Sequence, residues 1–130
     1  MKVSPYLYFN DNCIEAITLY EKAFNTNVIA QMMPDEKGGS FVAHAEFKIG
    51  GDTIFLYDAE QPVKFGDNMM IAIQFNAEDE NELAMAKKAY DTLKDGGEII
   101  MALEETSWSK CYGILIDKFG VKWNMWGGAK

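Results

Sequence analysis

Residues 5–24 read PYLYFNDNCIEAITLYEKAF, a strand-like run followed directly by a helix-like run. Side chains alternate over residues 3–10, and Pro5 suits an edge strand or the entry of a strand, so this segment predicts a strand. Asp11 and Asn12 are residue types that cap helix N-termini. Apolar side chains then recur at helical spacing, which predicts a helix of about 13 residues: they are Ile14, Ile17, Leu19, Tyr20 and Phe24.

The remainder of the first half predicts three further strands. Residues 28–33 form a short strand-like run, and residues 34–39 are typical of a turn or loop. After residues 41–49, the glycines at 50 and 51 turn the chain into a strand at residues 53–58. Within 41–49, the alternation predicts one face made of Phe41, Ala43, Ala45, Phe47 and Ile49 and another made of Val42, His44, Glu46 and Lys48.

The second half repeats this order. Residues 69–76 predict a strand and residues 79–94 a helix, which stops at Asp95-Gly96-Gly97. Three more strands are predicted after it, over residues 98–103, 112–117 and 121–126.

Short identities between the halves support an internal repeat. Phe9-Asn10 returns as Phe75-Asn76 at an offset of 66, and Lys22-Ala23-Phe24 returns as Lys88-Ala89-Tyr90 at the same offset. Such short matches also arise by chance, but the order of elements agrees as well. The sequence therefore predicts one α+β domain made of two βαβββ modules, at about residues 1–65 and 66–130.

Two curved βαβββ sheets placed edge to edge enclose a trough, which is where a ligand would bind. Strand parity predicts an apolar, aromatic lining suited to a small organic molecule, although a one-residue register error would invert a strand. Trp108 lies in an irregular segment that could fold over the trough. The predicted ligand-binding residues are Leu7, Phe9, Tyr57, Met70, Gln74, Trp108, Tyr112, Asn124 and Trp126.

Composition argues against several classes of partner. The 130 residues include 12 basic and 20 acidic side chains, for a net charge of −8, which disfavours nucleic acid. The apolar run at residues 69–73 is far below the ~20 residues needed to span a bilayer, so no membrane partner is expected. Cys13 and Cys111 form no metal-binding or disulfide pattern. With no signal-like N-terminal run, these features predict a cytoplasmic protein.

Several motifs together resemble the PhnB-like branch of the vicinal oxygen chelate superfamily, which includes glyoxalase I, bleomycin and fosfomycin resistance proteins and extradiol dioxygenases. The motifs include Pro5–Asn10, Tyr20–Phe24, His44-Ala45-Glu46-Phe47, Glu105–Trp108, and Asp117–Val121 with Trp123. The resemblance implies the glyoxalase/bleomycin resistance/dihydroxybiphenyl dioxygenase fold and a homodimer. Members are often described as demethylubiquinone methyltransferase-like. The chain has no glycine-rich loop after a strand of the Rossmann kind, so we do not expect that cofactor chemistry.

The resemblance also implies where the superfamily's metal ligands would fall. The four positions are Pro5, Phe55, Met70 and Asn124. Proline and phenylalanine side chains donate nothing to a metal, a thioether is soft, and a single amide is weak. We therefore expect no metal and no other cofactor, although a divalent ion on a non-standard set such as His44 and Glu46 is an alternative.

His44 is the single histidine of the chain. It could serve as a general acid or base or hold an anionic group, or it could simply hydrogen-bond a neighbour in a half-buried strand. Glu46 would share its face and could orient or charge-pair with it, or could be a solvated residue. These two residues are the candidate catalytic groups.

Three functions remain open from the sequence. The first is a module that binds or sequesters a small organic molecule without a tightly held metal. The second is an enzyme of the lyase, isomerase or oxygenase kind that uses His44. The third is a structural role in which side chains fill the trough and only the dimer matters.

Overall fold

The computed structural model describes residues 1–33 and 39–130, so the predicted turn at residues 34–39 lies, except for Gly39, outside the described residues. By their contacts the described residues divide into two compact units, Met1–Lys64 and Phe65–Lys130. The elements in chain order are β1 (Tyr6–Phe9), α1 (Cys13–Phe24), β2 (Ile29–Met33), β3 (Phe41–Ile49), β4 (Asp52–Asp58), β5 (Ile71–Gln74), α2 (Glu80–Lys94), β6 (Glu98–Glu104), β7 (Tyr112–Ile116) and β8 (Lys122–Trp126).

The first unit is a four-stranded mixed sheet with α1 packed against β3 and β4. Its strand order is β1-β4-β3-β2, with β1 parallel to β4 and the other neighbours antiparallel. Tyr20 of α1 stacks on Phe47 with ring centroids 5.7 Å apart, and Leu56 is fully buried. Each such side chain contributes about 1.5–3 kcal/mol when it leaves water, so α1 is held by this apolar layer.

The second unit has the same arrangement. Its strand order is β5-β8-β7-β6, with β5 parallel to β8, and α2 packs against β6 and β7. Leu93, Leu115, Trp123 and Met125 form its fully buried core. The predicted α+β fold of two similar βαβββ modules is therefore confirmed.

The two helices begin in different ways. The Asp79 side chain caps α2 by accepting hydrogen bonds from the N–H groups of Asn81 and Glu82. Asn12, one of the two predicted capping residues, is the N-cap of α1, but its side-chain oxygen accepts the N–H of Asn10 rather than an N–H of the helix. Neither α1 nor α2, the helices of the described residues, has the length and apolar character needed to cross a membrane.

The predicted alternation along β3 fails at one point. The pairing with β2 shifts between Gln31 and Met32, whose partners are His44 and Val42, so Ala43 is an extra residue on β3. Such a β-bulge changes which face the following side chains occupy. Val42 is consequently fully buried, although the alternation predicts it on the same face as His44.

Candidate functional site

Each sheet has one face covered by its helix, called here the helix face, and an opposite face. In β1, Phe9 is buried near Tyr20 of α1, with ring centroids 6.5 Å apart, so Leu7 and Phe9 belong to the helix face. Tyr8, in contrast, lies in register with Tyr57 on the opposite face. The prediction that Leu7 and Phe9 share a surface with Tyr57 is therefore wrong. Side chains without polar atoms pack under the helix, whereas the tyrosines keep their hydroxyl groups accessible.

The opposite face of the first sheet carries an aromatic cluster made of Tyr6, His44, Phe55 and Tyr57. The ring of Tyr6 contacts the other three, with centroid distances of 5.8 Å to His44, 5.3 Å to Phe55 and 5.2 Å to Tyr57. His44 also lies 5.3 Å from Phe55. Tyr6 is 46% exposed, and the other three are half-buried. The cluster is thus a partly solvated apolar surface, with Tyr8 at its edge.

A hydrogen bond joins the two polar members of this cluster. The Tyr6 hydroxyl and Nδ1 of His44 are 2.7 Å apart. In a neutral imidazole with its proton on Nε2, the hydroxyl donates to Nδ1. Glu46 is in register with Phe55 and shares this face, but the hydrogen-bonding partner of His44 among the described residues is Tyr6. The predicted orienting contact between Glu46 and His44 is therefore absent from residues 1–33 and 39–130.

The second module brings together another aromatic set on its opposite face. Tyr112 and Gln74 are both in register with Trp126, on either side of it, and Asn124 lies two residues earlier on the same strand. Asn124 is buried, and its side-chain amide donates to the carbonyl of Gly113 at 3.3 Å. Met70 lies just before β5 and is exposed. Four of the predicted residues, Gln74, Tyr112, Asn124 and Trp126, thus share one face.

Trp108 extends this set from an irregular segment that the residues after β8 hold in place. Its ring lies edge-on to Tyr112 at 5.7 Å and is 53% exposed. The fully buried Ser109 donates its hydroxyl to the carbonyl of Gly128 at 2.6 Å, and the N–H of Lys130 donates to the Trp108 carbonyl at 3.0 Å. Trp108 is therefore carried on a segment fixed by several hydrogen bonds.

The positions aligned with the superfamily's metal ligands do not fit a divalent ion. In the first module Tyr6, rather than Pro5, is in register with Phe55, and the Phe55 ring has no donor atom. In the second, Met70 offers a soft thioether and Asn124 a single neutral amide oxygen. Within the described parts of the chain, His, Cys, Asp and Glu side chains form no group of three or more that could hold a metal ion.

Both cysteines are buried free thiols. Burial and the nearby Asp58 carboxylate raise the pKa of Cys13 to about 12. Burial also raises the pKa of Cys111, and Lys87 opposes this only in part. Because the thiolate is the nucleophile, neither residue is suited to covalent catalysis near neutral pH.

Comparison with known proteins identifies the family. The sequence profile of the 3-demethylubiquinone-9 3-methyltransferase family matches residues 1–126. The chain belongs to this family. Protein YjdN of Escherichia coli is 30% identical over 95% of this chain and 92% of its own length.

Solved structures place this family member among vicinal oxygen chelate folds. The PhnB protein from Bacillus cereus is 24% identical, with a TM-score of 0.79 over 97% of this chain and 98% of its own. The fosfomycin resistance protein FosX from Listeria monocytogenes, complexed with Mn(II) and a dihydroxypropylphosphonic acid, has a TM-score of 0.63 at 13% identity, over 98% of this chain and 90% of its own. The predicted resemblance to the PhnB-like branch is confirmed.

Strand parity, with Leu7 and Phe9 lining the site, predicts Tyr6 on the other face of β1. The structure instead places Tyr6 in the aromatic cluster. A usable signal was present, because residues 6–9 alternate two tyrosines with Leu7 and Phe9. The pair without hydroxyl groups suits burial under a helix, and the tyrosines suit a half-solvated surface.

Proposed function

We propose that the protein binds a small aromatic organic molecule on the opposite face of the first sheet, without a resident divalent metal. The observation that carries this proposal is the aromatic cluster around Tyr6, which is partly exposed and has a hydrogen-bonded polar pair at its centre. Ligand sites are typically apolar surfaces with a few well-placed polar groups.

The physical chemistry of the cluster favours a flat ligand. Binding is favoured when an aromatic ligand covers an exposed aromatic ring. A favourable aromatic pair adds about 0.5–1.5 kcal/mol to the binding free energy beyond the contribution of the buried area. The aromatic set of the second module, which includes Trp108 and Trp126, offers further surface of the same kind. The FosX structure shows that this fold can hold a small molecule beside Mn(II), whereas the positions Pro5, Phe55, Met70 and Asn124 here offer no carboxylate or imidazole donor.

An enzyme of the lyase, isomerase or oxygenase kind is the second candidate. It is favoured by the 2.7 Å contact between Tyr6 and His44, because a histidine whose ring is oriented by a hydrogen bond is suited to general acid–base work. The family description names a methyl transfer, but the chain has no glycine-rich loop after a strand of the kind that holds a nucleotide-type cofactor, so methyl transfer is not the activity proposed.

The proposal includes a homodimer in the cytoplasm. The dimer follows from the resemblance to the vicinal oxygen chelate superfamily, and the location from the free cysteines. Sedimentation equilibrium of the purified chain tests the dimer, and a mass of one chain at micromolar concentration would contradict it.

Fluorescence of an anilinonaphthalene dye provides the test of binding. We expect the dye to bind the wild-type protein, and we expect Tyr57→Ala to weaken binding by about tenfold because it removes one ring of the cluster, worth ~1.4 kcal/mol. Met85→Ala is the matched control, since Met85 is exposed on α2 of the other module. Equal affinities for both variants would contradict the proposed site.

Metal analysis tests the second part of the proposal. Protein purified without chelator should contain no stoichiometric divalent ion, and EDTA should leave dye affinity and melting temperature unchanged. A stoichiometric ion that is lost in His44→Ala would overturn the metal-free proposal and support the alternative set that includes Glu46.

A further inference from the structure

We infer that the Tyr6–His44 pair is a proton relay that selects phenols, ligands whose aromatic ring carries an acidic hydroxyl group. This inference rests on the proposed function, because it names the class of ligand that the aromatic cluster takes. It starts from the hydrogen bond between the Tyr6 hydroxyl and Nδ1 of His44, 2.7 Å long and lying on a partly exposed surface.

The bond defines what Tyr6 can offer a ligand. When the hydroxyl donates to Nδ1, its proton is used inside the protein, but its oxygen keeps lone pairs that can accept a further hydrogen bond. Because Tyr6 is 46% exposed, a ligand hydroxyl can reach that oxygen. The ligand O–H then donates to Tyr6, and Tyr6 donates to His44. Bonds in such a chain strengthen one another.

The same chain can transfer a proton. The ligand O–H bond breaks as its proton bonds to the Tyr6 oxygen, and the Tyr6 proton moves to Nδ1 of His44. The products are a phenolate, a neutral tyrosine and an imidazolium, so the charges balance without any further reactant. Tyr6 contacts the ligand, and His44 acts through Tyr6 as the proton acceptor.

The surroundings favour an aromatic ligand that gives up a proton to the Tyr6–His44 pair. Glu46 shares the face of His44, and its negative charge favours the imidazolium that forms after proton transfer. The rings of Phe55 and Tyr57, 5.3 and 5.2 Å from Tyr6, provide surface for the aromatic part of the ligand. Besides Tyr6 and His44, the described residues of the four strands place Glu46 and Lys48 of β3, Tyr8 of β1 and Tyr57 of β4 on this face, and β2 has no ionisable side chain.

A pair of probes separates the relay from simple aromatic binding. 4-Nitrophenol carries the acidic hydroxyl, and its phenolate absorbs visible light. 4-Nitroanisole has the same ring without that proton. We expect the wild-type protein to bind the phenol about tenfold more tightly, as one charge-assisted hydrogen bond would give. We also expect bound nitrophenol to ionise about one pH unit lower than free nitrophenol.

Variants assign these effects to the pair. Tyr6→Phe and His44→Gln should abolish the shift in nitrophenol ionisation while nitroanisole still binds, and a purely structural role would not produce that split. Tyr8→Phe is the matched control, because it removes a hydroxyl next to the cluster that does not bond His44. Thermal melting checks that each variant is folded.

The outcomes distinguish the two proposals. If both probes bind equally and the nitrophenol ionises as it does in water, the relay is overturned and the binding site stands. If neither probe binds the folded wild-type protein, the proposed function and the relay both fail. If Tyr8→Phe removes the shift as fully as Tyr6→Phe does, the assignment to the Tyr6–His44 pair is overturned.

Discussion

The carboxylate of Asp58, at the end of β4, accepts the backbone N–H of Cys13, the first residue of α1, at 3.1 Å. Its second oxygen accepts the N–H of Val42 beside the β-bulge at 3.0 Å. Asp58 is 1% exposed. One buried side chain therefore ties the start of the helix to two strands of the sheet, at the end of the helix where negative charge is favourable.

Replacing Asp58 with alanine should lower the free energy of unfolding by about 3 kcal/mol. The variant loses two charge-assisted hydrogen bonds and leaves two N–H groups without that acceptor. Asp58→Asn should cost less, because it keeps one oxygen acceptor. Urea denaturation measures both. Asp52→Ala, at the exposed start of the same strand, is the control, and a loss equal to that of Asp58→Ala would contradict the explanation.

Stability should fall as the pH rises above about 9. The Cys13 pKa is raised to about 12 in the folded protein, whereas an unfolded thiol ionises near pH 8.5. Between these values the unfolded state binds fewer protons, so the free energy of unfolding decreases, with a limiting slope of ~1.4 kcal/mol per pH unit from this group. Below pH 8 the contribution is fully present.

Urea titrations between pH 7 and 11 test this dependence in the wild type and in Cys13→Ala. The alanine variant should show a shallower fall, because tyrosine and lysine ionisation affects both proteins alike. Curves that remain parallel across the whole range would show that Cys13 does not contribute.

Gly97 should not tolerate a side chain. A Cβ atom built there would overlap the backbone carbonyl of Ile116 on β7 and lie 3.0 Å from the Cα of Asp117. Backbone cannot move aside cheaply, so Gly97→Ala should destabilise the protein by at least ~2 kcal/mol. Gly51→Ala is the matched control, because a Cβ there meets no atom within 4 Å. Thermal melts of the two variants should differ by several degrees.

Ser109→Ala should loosen the segment that carries Trp108. The substitution removes the hydroxyl group that donates to the Gly128 carbonyl and accepts the N–H of Cys111, at a cost of ~1 kcal/mol or more. Trypsin should then cleave after Lys110 faster than in the wild type. Ser107→Ala, an exposed change in the same segment, should leave the cleavage rate unchanged, and equal rates for both variants would argue against this role of Ser109.

Regular patterning predicts much of this fold from the sequence alone. The strand predicted at residues 41–49 is observed as Phe41–Ile49, and α2 begins one residue later than predicted, after its Asp79 cap. The predicted bounds of edge strands are less accurate. Residues 3–10 predict a longer strand than Tyr6–Phe9, because β1 has one neighbour and its ladder spans only the residues that face β4.

The site is harder to predict than the fold, because it depends on which face of each strand a side chain occupies rather than on residue composition. His44 and Tyr57 were identified as candidates, and both belong to the aromatic cluster. Tyr6 is not among the predicted site residues. Its hydrogen bond to His44 joins residues 38 positions apart in the chain, and local alternation cannot show such a contact. The hydrogen bonding at the start of α1 is not predicted for the same reason. The side chain that accepts the N–H of Cys13 is Asp58 of β4, which is distant in the chain, rather than the neighbouring Asp11 or Asn12.

Because Ala43 is an extra residue on β3, His44 lies on the face of the sheet opposite to Val42. Deleting Ala43 would make Val42 and His44 consecutive residues, and strict alternation would then keep them on opposite faces of the sheet, as they are now. Loss of this one residue would therefore straighten the strand and leave the aromatic cluster assembled.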